Sequence, residues 1–115
     1  MASDPSKKSY WIPVWNGIFE HYASLGEAVW LLLWYIDRTT REVEQQDGTR
    51  FGLVLGFRPV RDAEIAREFG CVDRTIRRWR NRLARLAYIS LDRTAQGFRV
   101  TVLKSKKWRT RDGHQ

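Results

Sequence analysis

Arg74, Thr75, Arg77, Arg78, Asn81, Arg82 and Arg85 crowd one twelve-residue stretch, and no acid falls between Arg74 and Arg85. A guanidinium is planar, permanently charged and fork-shaped, which suits phosphate oxygens and the O6 and N7 of guanine; a carboxamide suits adenine. Like charges this close on a helix repel by roughly a few tenths of a kcal/mol per pair. A merely solvated helical face, the ordinary reading of a charge run, mixes signs in i,i+4 pairs instead. The chemistry on offer is therefore recognition of a polyanion, and the seven residues are the candidate contacts.

Other chemistries lack their parts. His21 and His114 are far apart, Cys71 stands alone, and no glycine-rich phosphate loop follows a strand. No catalytic set, metal site or cofactor site is legible, and enzymatic activity is not expected. A single cysteine also excludes an internal disulfide, and Cys71 reads as a packing residue at a turn.

The elements that must position the arginines can be read on either side of Gly70. From Asp62 to Phe69, Ala63, Ile65, Ala66 and Phe69 fall on one face of a short helix. Gly70 ends it, because glycine takes the left-handed conformation without steric cost. A second helix follows, with Ile76, Trp79, Leu83 and Leu86 at three- and four-residue steps and the arginines roughly 180° away. After Ile89 the period changes to two. Ile89 and Leu91, then Phe98, Val100 and Val102, alternate with polar residues, and Thr94–Gly97 (TAQG) can turn between them, Gly97 taking a positive φ. Arg93 and Arg99 flank the tip of this hairpin, as phosphate contacts or plain solvent-facing residues. Lys104, Lys106, Lys107 and Arg109 lie in the basic run KSKKWRTR beyond it, which either tracks a nucleic-acid backbone or is a solvated linker.

This arrangement resembles the winged helix-turn-helix DNA-binding domains. The resemblance spans Val60 to Leu103 and rests on the small Ala66, Gly70 at the turn, Thr75-Ile76 opening the second helix, Leu83 and Leu86, and the Tyr88-Ile89 exit into a strand. It implies an α+β fold, with a three-helix core, a small antiparallel wing and an aromatic-rich N-terminal extension. It also implies that the arginine helix enters the major groove of double-stranded DNA while wing and tail meet phosphates. Two positions depart from the pattern. Val72 stands where a serine-like N-cap is usual, so Asp73 is expected to cap one residue later; Ala87 stands where glycine commonly ends the recognition helix. The whole layout, from an N-terminal aromatic segment to a wing ending VLKSKKW, further resembles the N-terminal domains of phage and plasmid replication-initiation proteins. That likeness implies origin binding, with replication-machinery partners recruited by later segments. A transcriptional repressor built from the same parts, or a winged-helix module whose basic face meets an acidic protein, remains open.

At 115 residues the chain makes one domain. The net charge is −1 over residues 1–60 and +9 over residues 61–115, so the basic half is also the half with the two-helix pattern. Charge alone would suit RNA or a membrane surface too; its coincidence with that pattern favours duplex DNA. The longest apolar run, Ala28 to Ile36, is too short to span a bilayer, no signal peptide is visible, and a cytoplasmic setting without membrane association is expected. Residues 1–9 lack apolar content and are expected to be disordered, with the domain covering 10–103 and a tail or linker 104–115. Ser24 is expected to cap a helix from about Leu25, with Glu27 at the capping-box position. Val29, Leu32, Leu33 and Ile36 form one stripe on that helix, Trp30 and Trp34 a second. Trp11, Trp15 and Phe19 are expected to fold back over the tryptophans, leaving a monomer; a homodimer would cover them otherwise. Asp47-Gly48 signals a hairpin, and Phe51, Leu53 and Leu55 a further strand.

Overall fold

Period-two alternation on both sides of Gly97, and a second turn at Asp47-Gly48, build one antiparallel sheet. The structure is a computed structural model and describes residues 16–103. Four strands, β1 (Thr39–Glu44), β2 (Arg50–Val54), β3 (Ile89–Thr94) and β4 (Gly97–Leu103), lie in the order β1-β2-β4-β3. The Asp47-Gly48 hairpin therefore supplies two strands rather than one. Asp47 stabilises its turn by accepting from the Thr49 amide at 3.0 Å and the Thr49 hydroxyl at 2.7 Å. Those two bonds hold its exposed carboxyl below the usual range. β1 is the partner that the residue pattern did not mark, because TTREVE buries little besides Thr39.

The helices pack on one face of this sheet. They are α1 (Tyr22–Leu25), α2 (Ala28–Asp37), α3 (Asp62–Phe69) and α4 (Asp73–Arg85), with a 3-10 turn at Asn16–His21 leading into α1. Leu25, Leu31, Ile65, Ile76, Leu83, Val54 and Val100 are almost fully buried between helices and sheet. Each large aliphatic side chain so placed contributes about 1.5–3 kcal/mol. The architecture is α+β, as expected. No helix among the described residues is long and apolar enough to cross a membrane.

Several local expectations are corrected. Gly26 (φ +58) breaks the chain before α2, so Ser24 lies inside α1 and Glu27, without a side-chain hydrogen bond, precedes α2. The buried stripe of α2 is Ala28, Leu31, Leu32 and Tyr35, with Val29, Leu33 and Ile36 only half-buried. Trp34 is covered by its neighbours: its indole N–H donates to Glu68 of α3 at 3.2 Å, and the Arg38 guanidinium stacks 4.9 Å above its ring. Phe19 does not fold over Trp30; both are largely exposed. Trp11 and Trp15, the expected disorder of residues 1–9 and the tail residues Lys104, Lys106, Lys107 and Arg109 lie outside the described residues.

The two departures in the arginine helix also resolve. α4 opens after Val72, whose side chain makes no cap hydrogen bond, and Asp73 is the first helical residue rather than the cap. At the other end Ala87 adopts φ +67, taking the left-handed conformation usual for glycine at a cost of about 1–2 kcal/mol. The helix thus stops where a glycine would have stopped it, and Tyr88 donates to the Leu83 carbonyl at 2.9 Å.

Candidate nucleic-acid interface

Ile76 and Leu83 are buried to the last few square ångströms, which fixes how α4 is rotated. At about 100° per residue, Arg74, Arg78, Asn81 and Arg85 then share an outward arc of roughly 60°. All four are exposed, and none of these three arginines makes an ion pair among the described residues. Thr75, the third residue of α4, sits half-buried. Arg77 and Arg82 flank the arc on opposite sides.

The Arg77 flank is built around Asp62, the first residue of α3. Its carboxylate takes a close ion pair from Arg80 and a looser one, at 4.0 Å, from Arg77. Arg80 is the arginine that does not face outward: only 5 % of it is exposed. Its guanidinium lies 4.2 Å over the Phe98 ring and donates to Asn81 at 3.3 Å, while its Nε finds no partner. Nearby Tyr35 is buried, which pushes its phenol far above the ordinary range, Arg80 pulling the other way more weakly. Phe98 carries a second guanidinium, that of Arg93, 5.8 Å from its centroid. One aromatic ring thus joins α4 to the β3–β4 hairpin and sets Arg93 on the hairpin face that meets the buried Arg80.

Arg99 is not brought to that side. Arg93 pairs in register with Phe98, and Asp92 with Arg99, so the two arginines point to opposite faces of the hairpin. Arg99 pairs with Asp92 at 3.2 Å and lies near the Phe57 ring. Arg82 also departs from its expected role. It is half-buried, and its Nε donates to the Ser24 carbonyl at 2.7 Å, tying α4 to α1. Arg61, which carried no signal in the residue pattern beyond its position just ahead of the two helices, is exposed before α3. It donates across to the Ala95 carbonyl in the hairpin turn at 3.4 Å.

What holds hairpin and helices together is a close backbone approach. Val60 and Phe98 exchange both backbone hydrogen bonds, at 2.8 and 3.0 Å. Gly97 (φ +128) lies so near that a Cβ there would stand 2.6 Å from the Val60 carbonyl oxygen. The turn geometry expected of TAQG is present, with Thr94 accepting from the Gln96 amide and donating to the Gly97 carbonyl. Contact with Val60 is the further reason for glycine. Gly97→Ala should cost about 2–4 kcal/mol, from a disfavoured backbone and a clash with a main chain that cannot yield. Urea unfolding checks this; a change below about 0.5 kcal/mol, the size of an ordinary surface substitution, would show that the hairpin is not held against Val60.

Comparison with known proteins adds one relative. The chain is 42 % identical over 103 residues to the phage-like element PBSX protein XkdB of Bacillus subtilis (strain 168). The match takes in 88 % of this chain but only 37 % of that protein, so the chain spans well under half of its relative's length. No family model matches, and neither does any solved structure.

Proposed function

We propose that the chain is a winged helix-turn-helix module that binds double-stranded DNA. In this reading α3 and α4 form the helix-turn-helix, α4 enters the major groove, and the β3–β4 hairpin is the wing. The observation that carries it is the outward arc of α4: Arg74, Arg78 and Arg85 stand exposed and without ion pairs among the described residues around Asn81, while Arg77, Arg80, Arg82 and Arg99 all have protein partners. Cations held without counter-charges on one face are suited to a partner that brings the anions. Arg93 and Arg61 extend the same surface towards the wing tip, and the expected contacts of Lys104, Lys106, Lys107 and Arg109 would extend it along the phosphate backbone.

The likeness to replication-initiation domains and a relative from a phage-like element support a place in phage-type replication initiation. Binding of the chain to short duplexes across a salt series tests the DNA reading. With about five to eight phosphate contacts, log K should fall against log salt with a slope of roughly −4 to −7. A slope near zero, or no binding to duplex at any salt, would overturn it in favour of a protein partner for the basic face. Selection of bound duplexes from a genomic library then separates clustered origin repeats from promoter sites.

A further inference from the structure

Phe19, Tyr22 and Trp30 are 80 %, 55 % and 58 % exposed, more aromatic surface than a soluble domain ordinarily leaves to water without a contact. All three lie in the segment 18–30, where Glu20 and Glu27 are also exposed and no lysine or arginine occurs. The fitting occupant is therefore both basic and aromatic. Where β4 ends points to its source. The Leu103 amide donates to the Tyr88 carbonyl at 3.0 Å, and the Tyr88 ring meets the His21 ring edge-on at 6.2 Å. The chain after Leu103 thus starts beside this surface. Its next residues, KSKKWRTR, hold five cations and Trp108, and five extended residues reach about 17 Å.

We propose that the chain's own segment Lys104–Arg111 docks on the acidic-aromatic surface of residues 18–30 in the absence of DNA, and that duplex DNA draws it away. Residues 7–15, KKSYWIPVW, are aromatic too but carry two cations against the five of Lys104–Arg111. A second copy would need roughly 800 Å² of surface from each partner, well beyond three side chains. Docked, two of the segment's five cations meet carboxylates; on DNA the same cations meet phosphates, and they cannot do both. The docking stands apart from the DNA-binding reading, whereas the release rests on it.

A photo-crosslinker settles the matter in the full chain. With Trp108 replaced by p-benzoylphenylalanine, irradiation without DNA should give monomer-sized products whose crosslinked peptides map to residues 18–30. Glu20→Gln with Glu27→Gln should lower that yield about two- to fivefold, as expected for removing two exposed charge pairs. An excess of duplex should also lower it. Crosslinks to any other surface, none at all, or a dimer-sized product, which would mark a second copy, overturn the docking. Self-crosslinking that persists on duplex-bound protein overturns the release alone. A chain that crosslinks as expected but binds no duplex keeps the docking and overturns the DNA reading.

Discussion

Asp62→Ala should destabilise the domain by about 3 kcal/mol, although Asp62 lies at the edge of the core. Its carboxylate is the counter-ion of Arg80, which is buried with its Nε already unpartnered and Phe98 against its face. Removing one member of a buried pair costs about 3–5 kcal/mol because the other charge is left in a poor solvent. The side chain of Asp62 is 19 % exposed, so water entering behind the alanine places the cost at the lower end. Asp62→Ala combined with Arg80→Met removes the stranded charge and keeps most of the volume, and should recover much of the stability. Urea unfolding of the two single variants and the double variant measures this. A double variant no more stable than Asp62→Ala would show that the ion pair is not what the single substitution breaks.

The placement of Arg80 illustrates where the sequence is legible and where it is not. A 3.6-residue period over Ile76, Trp79, Leu83 and Leu86 defines α4 and its buried side, since burial rewards one face irrespective of partners. Gly70 and the TAQG turn are likewise local, because their backbone demands are met by residue type. Arg80 reads as one more arginine until the rotation of α4 is known. At roughly 100° per residue it falls beside Ile76, where only a carboxylate on another helix and a ring on a distant strand let it be buried. Arg93 and Arg99 present the same limit in the sheet. Their six-residue separation says nothing of faces until the register of β3 and β4 assigns them to opposite sides. β1 was missed because a strand gains its place from its partner as much as from its own alternation. The helix break at Gly26 was hidden by Ser24 and Glu27, whose spacing imitates a capping box.

Those placements divide the arginines into groups that should behave differently on DNA, and the division carries the largest expected effect. Arg74→Ala, Arg78→Ala and Arg85→Ala together should lower affinity at least about 100-fold and make the salt slope shallower by up to about 3, one for each phosphate no longer neutralised. Folding should be little changed, since all three side chains are exposed and make no ion pair among the described residues. Arg78→Ala alone, or Asn81→Ala, should cost about 1–3 kcal/mol on a preferred duplex and relax the preference at one base pair. Lys106→Ala or Lys107→Ala should weaken preferred and random duplexes alike, as expected for side chains that meet phosphates. Arg99→Ala provides the contrast, because its guanidinium faces away from Arg93 and already has Asp92 as partner. It should leave duplex affinity within about twofold, the worth of an exposed pair at most. Equal reductions from Arg78→Ala and Arg99→Ala would mean that net charge alone governs binding and that α4 reads no sequence. A normal affinity in the triple variant would remove α4 from the interface altogether.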